Sequence, residues 1–353
     1  MKMIYVTFFI CFLVTCALTP LVKKLAIRVG AVDLPNARKV HTRIMPRMGG
    51  LAFYLAFLLG MLILRPESSY TMPLILGSFI IVVTGVLDDL FSLPAKLKLC
   101  TQFLAALVIV NGGISVTFIN LPFNGVLYLN WFSIPLTLLW IVGITNAINL
   151  IDGLDGLAAG VSSIVLLTIA GLALTEGNLF VFSVAAVMLG GTLGFLPYNF
   201  HPAKIFMGDT GAYFLGYVVS VLALLGFKNV TLFSLVVPII ILAVPISDTF
   251  FAIIRRLVNK KPLTAPDKSH LHHCLLRFGF SQRQTVILIY GMSALFALAA
   301  ILFSTSTLLG SLVIIIGVML AIELVVEGVG LVSAGYKPLL SICKRLAGIG
   351  KVK

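Results

Sequence analysis

The stretch WFSIPLTLLWIVGITNAINLIDGLDG, residues 131–156, decides the fold. Residues 131–151 carry no charge, and about 20 apolar residues are what a helix needs to cross a bilayer core. The run then ends in polar residues spaced by three: Asn146, Asn149, Asp152 and Asp155. On a 3₁₀ turn these would stack on one face. On an α-helix each step of three rotates by about 300°, so neighbours stay close while the first and last lie on opposite sides. Gly153 and Gly156 predict that the helix loosens after Asp152. A carboxylate at mid-span costs roughly 2.5–3.5 kcal/mol, so two of them at the end of such a run mark a polar strip winding out of the membrane.

The same signature recurs along the chain. Of 353 residues 60% are hydrophobic and 10% charged, and the mean hydropathy is +1.13. Eleven apolar runs are expected to span: roughly 3–22, 48–64, 71–87, 97–116, 131–151, 157–175, 179–196, 211–227, 231–253, 285–303 and 308–330. Backbone groups in lipid must be satisfied internally, so the spans are helices. The fold class is an all-α polytopic membrane protein, with residues 1–353 forming a single integral membrane domain. The first run is followed by a long polar loop rather than a small-residue cleavage site, so it is expected to be retained. Asn124-Gly125, between two short β-prone runs, predicts a small hairpin within 116–130. The five cysteines form no CxxC pair, and none is expected to be bridged on a cytoplasmic face. No internal repeat or low-complexity segment is visible.

Charge orients the chain. With loops numbered alternately, 22 Lys and Arg fall on one side, and only Lys2, Arg65 and Lys228 on the other. This asymmetry places the N-terminus outside and the C-terminus in the cytoplasm, and it puts the hairpin outside. The net charge of +13 then describes a basic cytoplasmic face suited to lipid headgroups and soluble anionic substrates, not to nucleic acid. Only twelve residues are acidic, and Asp88, Asp89, Asp152, Asp155 and Asp209 all sit at span ends on that face. Five such residues point to a shared cation and an anion held by it. Glu323 and Glu327, four apart late in the last span, read as a packing or interfacial pair.

Each constellation has a plainer reading. Asp88 and Asp89 repel each other at a boundary, which a metal or a cation would relieve, and Lys98 lies near; alternatively they are a solvated helix end. Asn146 and Asn149 could be interhelical glue. Asp209, in Phe206-Met-Gly-Asp209-Thr-Gly211, could be a bare N-cap, although Gly208 and Gly211 allow a ligand close to the backbone. Phe206 offers a flat apolar face that could also merely pack. His270 and His273 would share a helix face with His272 elsewhere; the cluster could bind zinc, though no cysteine stands at zinc spacing, or donate to phosphate, or be a solvated loop. The first cytoplasmic loop, with Arg38, Lys39 and His41, is a headgroup or phosphate clamp or simply positive-inside charge.

Together these segments resemble the polyprenyl-phosphate N-acetylhexosamine-1-phosphate transferase family over about residues 33–290, in five separated motifs in family order. The Asp33-Leu-Pro-Asn loop with Arg38-Lys39-Val-His41, and the His270-Leu-His272-His273 cluster followed by Gly279-Phe-Ser-Gln-Arg-Gln284, are most similar to the undecaprenyl-phosphate N-acetylglucosamine-1-phosphate transferase branch. The resemblance implies a bacterial inner-membrane enzyme, active on its cytoplasmic face, that moves N-acetylglucosamine-1-phosphate from UDP-N-acetylglucosamine to undecaprenyl phosphate and releases UMP. It implies Mg²⁺, with Mn²⁺ as the alternative, held chiefly by Asp209; Asp88 and Asp89 as the catalytic pair; and Asn149, Asp152 and Asp155 as a nucleotide strip. Phe206 then stacks on uracil, His270, His272 and His273 lie near the diphosphate and sugar, and a homodimer is compatible with it. Oxygen ligands without cysteine also suit magnesium on chemical grounds. Two alternatives stand beside it: the same chemistry on another UDP-N-acetylhexosamine or a muramyl-pentapeptide donor, and a secondary transporter, which would instead place its acids near the midplane in repeated halves.

Overall fold

The computed structural model describes residues 1–34, 44–121, 125–226, 235–260, 262, 269–331 and 336–346. Apolar runs become helices, and short polar stretches join them. In chain order these are α1 (Lys2–Val29), a two-residue pair β1 (Val32–Asp33) and β2 (Met45–Pro46), α2 (Gly50–Leu64), α3 (Thr71–Phe91) and α4 (Ala95–Asn111). Then come β3 (Phe118–Leu121), β4 (Gly125–Tyr128), α5 (Ser133–Ile151), α6 (Leu157–Thr175), α7 (Leu179–Asn199) and α8 (Gly208–Gly226). The remainder is α9 (Val236–Ile241), α10 (Ala243–Val258), α11 (Leu271–Arg277), α12 (Gln282–Thr305), α13 (Leu308–Val329) and α14 (Pro338–Leu346).

The protein is an all-α polytopic membrane protein. Among the described residues, eight helices are long and apolar enough to cross a membrane: α1, α3, α5 with the turn before it, α6, α7, α8, α12 and α13. The other three expected spans coincide with the 15-residue α2, the 17-residue α4 and the broken α9–α10 pair. The break has a local cause. Pro245 has no N–H to give to Ile241, and its ring crowds that carbonyl, so α9 stops at Ile241.

The hairpin expected within 116–130 is present, with Phe118 opposite Tyr128 and Leu121 opposite Gly125. The β1–β2 ladder was not foreseen. It pairs Val32 with Pro46 and Asp33 with Met45, closing the base of the first polar loop, and Arg47 forms an ion pair with Asp33 there.

Helix α8 is the centre. It packs against α3, α5, α2 and α6, while α7 packs against α1 and α6. Within their most apolar windows, 89% of α8 but only 11% of α13 is buried in protein. Small residues allow this centre to form, as is usual between membrane helices. Gly211 meets Gly50 of α2, and Gly216 meets the backbone of Thr145 on α5; a methyl group at any of the three glycines would strike backbone. Phe214 then stacks on Phe53 and meets Tyr54 and Phe57 edge-on. Each such aromatic pair adds about 0.5–1.5 kcal/mol beyond area burial, fixing the start of α8 relative to α2.

Candidate functional site

The start of α8 gathers the ends of three other helices. Gly208 has φ 72, a conformation that glycine adopts without strain, and a Cβ there would run into the Asp89 carboxylate. That carboxylate is buried at the end of α3. Its Oδ1 accepts the N–H of Asp209 at 3.0 Å, and its Oδ2 accepts the N–H of Thr210 at 3.1 Å and the Thr210 hydroxyl at 2.6 Å. A carboxylate on free amides at a helix N-terminus is favoured by charge-assisted hydrogen bonding and by the helix dipole. Asp89 therefore caps α8 from a different helix. The bare N-cap reading of Asp209 is corrected: α8 begins at Gly208, and Asp209 lies inside its first turn.

Freed from capping, the Asp209 side chain looks outward and keeps 30% of its surface. Asn149 Nδ2 of α5 donates to its Oδ1 at 2.8 Å. Lys98 Nζ of α4 stands 3.5 Å from its Oδ2 and 2.8 Å from Oδ2 of the buried Asp88. Asp88 Oδ1 accepts the Leu93 N–H at 2.7 Å. One ammonium thus bridges two carboxylates from different helices. Asn146 points away from this group, to Gln102 Oε1 at 2.5 Å and to the Val142 carbonyl at 2.8 Å, so of the two Asn, Asn146 is the glue between helices and Asn149 belongs to the site.

The turn after α5 forms the next wall. The helix ends at Ile151, with Asp152 as its C-cap, as Gly153 predicted. Burial raises the half-buried Asp152 carboxyl to about 7, the charges of Asp89 and Asp155 add to that, and Arg47 opposes it. Asp155 Oδ2 accepts from His201 Nδ1 at 2.9 Å and from the Ala203 N–H at 3.0 Å, which anchors the loop leading to Phe206. The Phe206 N–H donates to the Pro46 carbonyl at 2.8 Å, and its carbonyl accepts the Gly49 N–H at 3.0 Å. The half-buried ring is thereby set by backbone contacts to the first polar loop.

The histidines close the group from the other side. His272 lies against Gly153 so closely that a Cβ there would meet its ring. Asp248 of α10, buried, accepts from His270 Nδ1 at 2.8 Å and from the Leu271 N–H at 2.7 Å. His270 is the residue before α11, with extended backbone, so the expected shared face of His270 and His273 is corrected. The parallel pair is His270 and His272, 6.0 Å apart at 4°, and His273 tilts onto His272 at 4.2 Å. Burial, reinforced by His273, lowers His272 to about 3, so it is a neutral imidazole at physiological pH.

Among the described residues no three His, Cys, Asp or Glu side chains converge as a complete metal cage. The donors that face one another are the oxygens of Asp88 and Asp209. That set fits Mg²⁺, which takes one or two carboxylates and draws its other ligands from water and substrate phosphates. Arg38, Lys39 and His41 lie outside the described residues. Sequence reading passed over Asp248, His201 and Thr210 as site residues. Asp248 carried a usable signal, because an acid inside the apolar run 231–253 needs a partner.

Residues 71–227 match the Glycosyl transferase family 4 profile. The chain is 51% identical to the "Probable undecaprenyl-phosphate N-acetylglucosaminyl 1-phosphate transferase" of Bacillus subtilis (strain 168), over 97% of each chain. It is 36% identical to the "Decaprenyl-phosphate N-acetylglucosaminephosphotransferase" of Mycolicibacterium smegmatis, over 92% of this chain and 87% of that one. With the "Phospho-N-acetylmuramoyl-pentapeptide-transferase" of Moorella thermoacetica it shares 33% identity, over 74% of this chain and 84% of that one.

Proposed function

The chain belongs to glycosyl transferase family 4, the polyprenyl-phosphate sugar-1-phosphate transferases, and from that premise we propose that it moves N-acetylglucosamine-1-phosphate from UDP-N-acetylglucosamine to undecaprenyl phosphate. It is an enzyme, which sets the transporter reading aside. The observation that carries the proposal is the lysine-bridged pair of Asp88 and Asp209 at the start of α8, backed by Asn149. The donor is chosen by likeness: 51% identity over nearly the whole chain to the Bacillus protein, against 33% over less of it to the muramoyl-pentapeptide one.

In this reading a lipid phosphate oxygen attacks the phosphorus that bears the sugar. The bond from that phosphorus to UMP breaks, and the new diphosphate joins lipid and sugar. Asp209, with Asp88 facing it, would hold Mg²⁺ or Mn²⁺, which neutralises the diphosphate and the departing UMP. Asn149 fixes the Asp209 carboxylate through its amide N–H. Lys98 pairs with Asp88 beside the incoming lipid phosphate, and Asp89 keeps the start of α8 in register. Asp152, Asp155 and Phe206 frame the nucleotide, with Phe206 against uracil. Neutral His272 and the Asp248-oriented His270 donate to the diphosphate or sugar with His273, and Arg38, Lys39 and His41 clamp phosphate from the first loop.

The charge asymmetry supports a cytoplasmic position for this face, in a bacterial inner membrane. The product there would start a cell-surface polysaccharide or a teichoic acid linkage. The test is to incubate purified protein with UDP-N-acetylglucosamine, undecaprenyl phosphate and Mg²⁺. UMP and a lipid-linked diphosphate sugar are expected in equal amounts. UMP release without the lipid acceptor, or turnover only with a muramyl-pentapeptide donor, would overturn the assignment.

A further inference from the structure

Beyond the carboxylate site, a cavity of about 450 Å³ opens between the end of α10, the far side of α11, the end of α13 and the start of α14. Its size falls within the roughly 300–1,000 Å³ usual for ligand sites. Its lining holds three cations, Arg255, Arg277 and Lys337, and one carboxylate, Glu327. We propose that this cavity binds the phosphate of an anionic lipid headgroup, at a second site separate from catalysis.

Glu327 is fully buried, and its two oxygens accept the N–H groups of Leu339 and Leu340 at 2.6 and 2.7 Å. It serves as the cap of α14. Its oxygens are spent on those amides, and among the described lining residues there is no second acid to answer Arg277 and Lys337. Arg277 donates to the Cys274 thiol at 2.8 Å, and sulfur is a weak acceptor. A phosphate oxygen would take a charge-assisted bond in its place. Arg255 is buried and donates to the Leu331 carbonyl, which ties the end of α10 to the residues after α13.

Exposed apolar surface beside these cations selects a lipid over a soluble phosphate. Phe278 in the lining is 61% exposed, and Tyr336, beside Lys337, is 40% exposed. Leu257 and Val258, just beyond Arg255, are 62% and 70% exposed. Helix α14, PLLSICKRL, is apolar in its first residues and basic in Lys344 and Arg345, the composition of a helix lying in a bilayer interface. Cations beside exposed apolar surface suit a headgroup whose acyl chains remain in the membrane. Helix α11 carries Cys274 and Arg277 on the cavity side and His272 on the side of Gly153, so an occupant would brace the helix that holds the histidines.

The full-length protein in nanodiscs decides this by retained lipid in native mass spectrometry and by thermal unfolding. The wild type should retain phosphatidylglycerol over phosphatidylcholine by at least about tenfold, which corresponds to about 1.4 kcal/mol, and unfold at higher temperature with it. R277Q/K337Q should lose that preference, and the charge-keeping R277K/K337R should retain it. The exposed K337Q alone, least able to disturb the fold, should lose part of it. Undiminished preference in R277Q/K337Q would overturn the proposal. So would stabilisation of the wild type by inorganic phosphate with no preference between the two lipids, which would make the site one for free phosphate.

Discussion

Two helix starts in this molecule are built by the same device and left with different working groups. At α8, Asp89 reaches across from α3 and takes the free N–H groups of Asp209 and Thr210. At α11, Asp248 reaches across from α10 and takes the Leu271 N–H together with His270 Nδ1. In each case a buried acid, costly by itself, is satisfied by helix amides that would otherwise lack partners. What remains over differs. The first cap leaves two facing carboxylates and a lysine, suited to a cation. The second leaves neutral or orientable imidazoles, suited to donating to an anion. Acids in such a chain therefore divide into anchors and working groups, and sequence position alone does not separate adjacent Asp88 from Asp89.

The hardest test of that division is to exchange its members. Asp209→Asn should cut UMP formation at least about a hundredfold, since removing one group from a preorganised electrostatic site typically costs 10²–10³, while thermal unfolding stays near wild type. Asp89→Asn should instead lower stability by about 1–3 kcal/mol, because its amide N–H₂ would face the donors of α8 and leave them unpaired. If Asp89→Asn unfolds like wild type and Asp209→Asn does not, anchor and working group have been reversed.

The second helix start should respond more mildly. Asp248→Asn should lower turnover roughly 10- to 100-fold, the range typical for a partner that orients a working group, with a matching loss in His270→Gln. In the double variant the two losses should not add, because both remove the same oriented ring. Full additivity in that cycle would mean that Asp248 acts only through the fold.

The smallest effect concerns Asp152. Burial raises its folded pKa to about 7, against 3.8 for a free carboxyl. The folded protein therefore holds this proton more tightly than the unfolded chain does. The group favours folding most below the ordinary carboxylate range, and that contribution is lost as pH rises toward 7. Unfolding temperature should decline over this interval, and Asp152→Asn should remove that part of the decline. The change is modest because the carboxyl is only half-buried. An unchanged slope in Asp152→Asn would assign the dependence to other groups.

Much of this was legible in the sequence. Among the described residues each of the eleven apolar runs overlaps a helix, because a backbone in lipid must satisfy its own polar groups. The 124–125 turn signal gave the hairpin, and Asp209, Asp88, Asn149 and Lys98 were all marked before they met in space. What was not legible depends on long-range partners. Asn146 and Asn149 look alike in sequence, yet one meets Gln102 and the other Asp209. His201 and Asp248 acquire meaning only from Asp155 and His270, which lie 46 and 22 residues away. The histidine pairing departs from a helical period because the backbone at His270 is extended. The β1–β2 ladder was invisible because two residues are too few for any period.

In the proposed reaction sugar phosphate passes between UMP and a lipid phosphate at the Asp88–Asp209 site. One phosphoanhydride is exchanged for another, so the equilibrium should lie within reach of either direction, a tenfold shift being only about 1.4 kcal/mol. The most direct measurement is exchange of labelled UMP into UDP-N-acetylglucosamine by the purified protein with Mg²⁺. Exchange should require undecaprenyl phosphate and disappear in Asp209→Asn. Release of free N-acetylglucosamine phosphate with no exchange would contradict it and make the protein a hydrolase.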